Sequence, residues 1–219
     1  MAREVARTIE AVWRIESGRI VGGVARLVRD VGLAEDLAQE ALIAALENWP
    51  GAGVPENPGA WLMTVAKNKA LNHLRLQAMQ ARKNDELGAD ADARGDHVEP
   101  DFVDALDAAR ADDIGDDLLR LIFAACHLVL PREAQTALTL KLLGSLSTPE
   151  IARAYVVPEA TMAQRIVCAK KSLSQAAVPF SVPQGVERLS RLAAVLEVIY
   201  LIFNEGYAAT RGGSVAIRE

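Results

Sequence analysis

Apolar residues recur along this chain at helical spacing almost throughout. Ile20, Val24, Leu27, Val28 and Val31 form one stripe of a 3.6-residue period, and Leu37, Ala41, Leu42, Ala45, Leu46 and Trp49 form a second. Asp30, Gly32 and Ala34 to Asp36 mark a tight corner between them. Pro50 to Pro58 holds three prolines, with Gly59 just behind, and predicts a loop. Asn57 followed by Pro58 predicts a helix start, because the asparagine side chain accepts from the first amides and proline pre-sets φ. The third helix would bury Trp61, Leu62, Val65, Leu71 and Leu74.

The pattern resumes after an interval poor in large apolar residues. Leu118, Leu119, Ile122, Phe123 and Cys126 predict a helix, and Pro131 opens another that ends near Gly144. Ser147-Thr148-Pro149-Glu150 reads as a capping box for a short helix with Ile151, Ala152 and Tyr155 inward. Val156-Val157-Pro158 breaks it, and Met162, Ile166, Ala169 and Leu173 stripe the helix that follows. A short capped helix, a three-residue turn and a longer basic helix make the helix-turn-helix layout. Beyond Pro179, Pro183 and Gly185 comes a strongly apolar helix, Val186 to Phe203, closed by Asn204-Glu205-Gly206. Its stripe of Leu189, Leu192, Val195, Leu196, Ile199 and Phe203 needs a cover. Leu118, Ile122 and their neighbours, or a second copy, would supply it. The last eight residues look like the start of a further helix, so the natural protein is expected to continue.

Composition narrows the class. Aromatic residues make up 5% of the 219, and valine and isoleucine do not alternate with polar residues, so an all-α fold is expected and an all-β one is not. The longest apolar stretch, Ala193 to Phe203, is interrupted by Glu197 and falls short of the roughly 20 residues that span a bilayer. With no secretory signal and only Cys126 and Cys168, neither in a C-x-x-C, the reading is a soluble cytoplasmic protein without disulfide scaffold or structural zinc. Cys126 and His127 are adjacent on a helix and diverge by about 100°, so they make no metal site alone. No Ser/His/Asp grouping, phosphate loop or carboxylate pair is present; no catalytic residue, cofactor or metal is expected.

Charge changes the picture more. The net charge is −5, but Asn84 to Asp117 holds thirteen acids and two bases, a local −11 that leaves the remainder positive. Trp61 to Lys83 carries Lys67, Lys69, Arg75, Arg82 and Lys83 with no acid, and Ala160 to Val178 carries Arg165, Lys170 and Lys171 with none. Two basic helices across an acidic tether suit two nucleic-acid-facing surfaces, although solvated helix faces would also carry such charges. The expected organisation is a helical domain at 1–83, an acidic linker at 84–112, a helix-turn-helix domain at 113–178 and a helical extension at 179–219. Phe102, Val103 and Leu106 suggest a short docking turn within the linker.

Three ordered blocks carry a family resemblance over about residues 10 to 178. Glu35-Asp36-Leu37-Ala38-Gln39-Glu40-Ala41 resembles a signature of bacterial RNA polymerase sigma factors. Ala60-Trp61-Leu62 through Leu71-Asn72-His73-Leu74-Arg75 is similar to their promoter-melting helix, and Glu150-Ile151-Ala152-Arg153 through Ala169-Lys170-Lys171 to their C-terminal helix-turn-helix. The two-domain plan resembles the extracytoplasmic-function group. The tail, above all Leu196 to Ala208, resembles a subgroup whose core is followed by a tetratricopeptide-like extension.

The resemblance implies roles. Asp36, Gln39, Glu40 and Glu47 would dock on the clamp helices of core RNA polymerase. Lys67, Asn68, Lys69, Asn72 and Arg75 would hold the unwound non-template strand at the minus-ten element, with an extruded base read by the Trp49-to-Asn57 loop. Trp61 is read as core, and His73 is given no chemistry. Glu159, Thr161, Ala163, Gln164, Arg165, Val167, Lys170 and Lys171 would meet the minus-thirty-five duplex, Gln164 as a reader of adenine and the bases as phosphate anchors. Three departures stand out: Val156 replaces the usual turn glycine, so positive φ is not expected there; Pro158 replaces a serine cap; Cys168 replaces an arginine. The partners implied are core polymerase and promoter DNA, regulated by an anti-sigma factor or by the extension itself. The alternatives are a helix-turn-helix regulator acting without polymerase, and a helical enzyme or small-molecule module built on the tail.

Overall fold

The computed structural model describes residues 2–88 and 114–212. Among them every regular element is an α-helix: α1 (Ala2–Val28), α2 (Val31–Ala52), α3 (Pro58–Gly88), α4 (Ile114–Ala125), α5 (Arg132–Leu142), α6 (Thr148–Ala154), α7 (Glu159–Gln175) and α8 (Gly185–Gly212). The chain divides into two units, Met1–Leu118 and Leu119–Glu219.

In the first unit α1, α2 and α3 each pack on the other two. The corner between α1 and α2 is only Arg29 and Asp30. Arg29 takes a φ of 55°, and Asp30 caps α2 by accepting from the Leu33 amide at 2.9 Å. Gly32 and Ala34 to Asp36, expected in the corner, are already helical because the cap lies ahead of them. α2 also outlasts its expected end: Pro50 sits in the last turn, and Gly53, at φ 89°, closes the helix by donating to the Trp49 carbonyl at 2.9 Å. The loop shrinks to 53–57. Asn57 caps α3 as the sequence predicts, its side chain accepting from the Ala60 amide at 3.0 Å. α3 runs to Gly88, past the expected boundary at 83. The rest of the acidic segment, with Phe102, Val103 and Leu106, lies outside the described residues, as do 213–219.

Small residues let these helices approach closely. Ala34, Ala38, Ala41 and Ala45 of α2 and Ala66 and Ala70 of α3 are buried beside Ile20, Val24 and Leu62. A β-carbon at Gly23 of α1 would sit 3.1 Å from the Met63 sulfur. The buried line of α3 is thus Leu62-Ala66-Ala70, one residue per turn. Trp61, Val65 and Leu74 lie beside it and are half-buried, not core as expected. Leu46 is exposed for the same reason, off the alanine line of α2.

The end of the acidic segment also belongs here. Asp117 is buried, its Oδ2 3.6 Å from Nε of Arg26. Its carbonyl lies so close to Gly22 that a β-carbon there would come within 3.1 Å. The division between units therefore falls after Leu118, inside α4, and not at 112.

In the second unit α5 is central and packs on α6, α7 and α8. The capping box is present: the Ser147 hydroxyl accepts from the Glu150 amide, and the Glu150 carboxylate accepts from the Ser147 amide at 2.8 Å. Met162, Ile166, Ala169 and Leu173 all face inward, as their spacing predicts. Pro158 precedes α7 without a side-chain cap, also as expected.

Val156 corrects an expectation. Its φ is 53°, in the left-handed region. Val157 donates to the Ala152 carbonyl at 3.0 Å and Val156 to the Arg153 carbonyl at 3.2 Å, the paired closure of a helix whose next residue must turn left-handed. Hydrogen bonding at the turn outweighs the side-chain preference, and the valine side chain, 91% exposed, meets no obstacle. Such a conformation costs an L-residue about 1–2 kcal/mol, partly offset in glycine by a freer unfolded chain. Val156→Gly is therefore expected to stabilise the second unit by about 0.5–1 kcal/mol. Urea unfolding followed by far-ultraviolet circular dichroism measures this; tryptophan fluorescence does not, because Trp13, Trp49 and Trp61 all belong to the first unit.

α8 packs on this unit beside Ile122, as its apolar pattern requires, but of the expected stripe's described side chains only Val195 is buried. Val195 and Val198 join Phe123 and Cys126 in a buried cluster flanked by Ile122, Val182 and Ala194. Leu189, Leu192, Leu196 and Ile199, expected to be covered, are exposed, and the side chain of Phe203 lies outside the described residues. Two ion pairs accompany this rotation: buried Arg191 pairs with Glu187 one turn away on the same helix, and Glu197 pairs with Arg132 of α5. Asn204-Glu205-Gly206 does not end the helix, which continues to Gly212. No described helix is long and apolar enough to cross a membrane.

Candidate nucleic-acid and partner interfaces

The first surface is the outer face of α2. Asp36, Gln39, Glu40 and Glu47 are all exposed, as the helical phase predicts. Glu35, one residue earlier, points inward and is 4% exposed. Its Oε1 accepts from the Gln39 side-chain amide at 2.9 Å, so a buried carboxylate orients a surface amide. The sequence reading missed Ile43. It stands seven residues after Asp36, two turns along the same face, and is 53% exposed among the acids. An apolar centre with a charged rim suits a protein-binding patch. Helical phase alone places Ile43 there; grouping residues only by polarity hides it.

The second surface is on α3. Asn68, Asn72 and Arg75 are exposed and share one face. Arg75 donates to the Asn72 side-chain oxygen at 3.5 Å, which leaves the Asn72 amide hydrogens outward. The two lysines lean away to either side. The Lys67 stem lies alongside Gly23 of α1, while Lys69 reaches α2 and pairs with Glu40, Nζ to Oε2 at 2.9 Å. The acidic surface and the amide surface are thus joined along one edge by an ion pair.

Between the C-terminal end of α2 and the start of α3 opens a cleft of about 560 Å³. Trp49, Trp61, Asn48, Val54 and Pro55 are among its walls. Trp49 is buried, and the half-buried Trp61 ring meets it edge to face, centroids 5.4 Å apart at 69°. Trp61 is therefore a wall of the cleft as well as part of the packing, which its apolar spacing did not reveal.

The third surface is α7. Glu159, Thr161, Gln164, Val167 and Lys171 are exposed, while Ala163, Arg165 and Lys170 are half-buried at its margins. The Gln164 amide donates to the Cys168 sulfur at 3.3 Å, so the residue expected to read a base rests one turn along its own helix. Cys126 lies elsewhere in this unit, buried against the Thr139 hydroxyl at 3.7 Å, and burial pushes its thiol pKa up. Among the described residues no group of three or more His, Cys, Asp or Glu side chains is placed to hold a metal ion.

Residues 14–79 match the sigma-70 region 2 family. The RNA polymerase sigma-H factor of Pseudomonas aeruginosa is 32% identical over 165 residues, covering 74% of this chain and 81% of that protein. The chain belongs to the sigma-70-like RNA polymerase sigma factors. It is of the extracytoplasmic-function type, like the sigma-E factor of Haemophilus influenzae, which is 28% identical over 146 residues, 66% of this chain and 74% of that one. An uncharacterised protein of Rhizobium meliloti is 44% identical over 193 residues, 88% of this sigma factor. The chain spans only 44% of that relative's length. The region 2 match falls within the unit that carries the α2 face, the α3 face and the cleft.

Proposed function

We propose that this sigma factor binds core RNA polymerase through the outer face of α2 and gives it promoter specificity, acting in the cytoplasm without catalytic residues of its own. The observation that carries the reading is the pairing, in one unit, of an acidic face centred on Ile43 with a helix that has no acid from Trp61 to Lys83 and presents Asn68, Asn72 and Arg75 there. Asp36, Gln39, Glu40 and Glu47 meet a basic surface of the polymerase, where complementary charge gives orientation and on-rate. Asn68 and Asn72 hydrogen-bond base edges of the unwound non-template strand, and Lys67, Lys69 and Arg75 neutralise its phosphates. The tryptophan-walled cleft receives an extruded base. In the second unit α7 enters the major groove of the minus-thirty-five duplex, with Glu159, Thr161, Ala163, Gln164 and Val167 toward the bases and Arg165, Lys170 and Lys171 on the phosphates. α8 completes the second unit and regulates it; an anti-sigma partner would act on these same faces.

Co-purification of core polymerase with the chain tests the first step. For the second, Asn68→Ala is expected to reduce promoter opening tenfold or so while closed-complex formation is nearly unchanged, because the partners of an amide worth about 1–2 kcal/mol exist only in unwound DNA. Permanganate reactivity of thymines near the start site reads opening, and a mobility shift reads the closed complex. Equal loss in both would make Asn68 structural.

A further inference from the structure

The ion pair between Lys69 and Glu40 joins two faces to which the function above gives different partners. Nζ of Lys69 lies 2.9 Å from Oε2 of Glu40, with the side chains 34% and 54% exposed. The lysine comes from the nucleic-acid helix and the glutamate from the polymerase helix. While the pair is closed, the ammonium is held toward α2, off the face of Asn68, Asn72 and Arg75, and its charge is locally neutralised. Each group can satisfy one partner well: a carboxylate engaged by a cationic polymerase side chain has less to offer the lysine, and an ammonium engaged by a phosphate has less to offer the glutamate.

We propose that Glu40 gates Lys69. In the free chain the pair withholds the lysine from single-stranded DNA; docking of a basic polymerase surface takes up the Glu40 carboxylate and hands Lys69 to a strand phosphate. Core binding then strengthens strand binding, and by reciprocity strand binding strengthens core binding by the same factor. The inference rests on the proposed roles of α2 and α3. An exposed pair sets its size: coupling is about two- to five-fold, a modest bias against unproductive binding by the free subunit.

The test uses the full chain and a fluorescein-labelled mixed-sequence single-stranded 20-mer, since a phosphate contact is independent of sequence. Anisotropy titrations are run over a range of salt concentrations for the parent, Glu40→Gln, Lys69→Gln and the double variant. Glu40→Gln is expected to bind the oligonucleotide about two- to five-fold more tightly. Its salt dependence should steepen by about 0.7 in log–log slope, one added phosphate contact on a single strand. In the Lys69→Gln background the same glutamate change should gain little. Adding core polymerase should enhance strand binding less for Glu40→Gln than for the parent. An equal gain with and without Lys69 would overturn the gate, because removing any nearby acid would then suffice. So would Glu40→Gln binding like the parent while Lys69→Gln weakens both, a result that leaves the strand role of Lys69 standing. If Lys69→Gln changes nothing in either background, Lys69 does not meet the strand, and its part in the proposed function falls with the gate.

Discussion

Replacing Asp36 and Glu40 together with lysine is expected to abolish association with core RNA polymerase while the fold survives. Both side chains lie on the exposed face of α2, one turn apart, away from the buried alanine line. The substitution opens no cavity. Its effect on folding is confined to surface electrostatics, including the pair with Lys69, and such exposed pairs contribute about 0–1 kcal/mol. At a basic partner surface the consequences are larger, since two favourable contacts become two like-charge contacts. Juxtaposition of like charge across an interface costs several kcal/mol, and each 1.4 kcal/mol is about tenfold in affinity. A loss of at least a hundredfold is expected, read as failure to co-elute with core polymerase in gel filtration. Circular dichroism should match the parent. Retained co-elution would remove α2 as the docking face. Ile43→Ala is a milder companion: it keeps every charge and should weaken binding only if the apolar centre is buried in the complex.

What could be read from the sequence divides along physical lines. Patterns whose cause is local came through: the Ser147–Glu150 capping box, the Asn57 cap and the Met162-Ile166-Ala169-Leu173 stripe each depend on residues within a turn or two of one another. The α2 acids came through as well, because phase on one helix decides their exposure. Features set by contacts distant in sequence did not. Nothing near Asp117 in the chain says that it will be buried beside Arg26 of α1. Among the five apolar residues expected to be buried in α3, the neighbouring helices bury Leu62 and Leu71, with Ala66 and Ala70, and leave Val65 and Leu74 half-buried and Trp61 at the cleft. The pair between Glu40 and Lys69, 29 residues apart, is of the same kind. α8 is the clearest case: two apolar arcs compete along it. Leucine and isoleucine fill most of the more conspicuous one, but of its described side chains only Val195 is buried; with Val198 it fits against Phe123, and Glu197 pairs with Arg132 of α5 beside that contact.

That arrangement makes the second large expectation concern α8. Deleting the chain after Pro179 removes Val182, Ala194, Val195 and Val198 from the cluster and leaves Phe123 and Cys126 uncovered. Burial of each large apolar side chain is worth roughly 1.5–3 kcal/mol, and a unit of this size has about 5–10 kcal/mol in all, so stability should fall by about half or more. The two cysteines give a readout of the cause. Cys168 is exposed on α7, while Cys126 is buried, bonded to Thr139 and held protonated by burial. In the folded parent one thiol per chain should react rapidly with a thiol-specific disulfide reagent, and in the truncated chain two. Reaction at Cys168 is an internal control, because α8 does not cover it. Val195→Ala with Val198→Ala, which keeps the helix and thins its contact, should lie between, with a lower melting temperature and a slower second thiol. Should the truncated chain melt with the parent and keep Cys126 protected, α8 would not complete this core. Any effect of the tail on transcription would then act through its exposed face of Leu189, Leu192, Leu196 and Ile199. If instead stability falls and DNA binding by α7 falls with it, the extension controls promoter binding by holding up the unit that carries the proposed recognition helix.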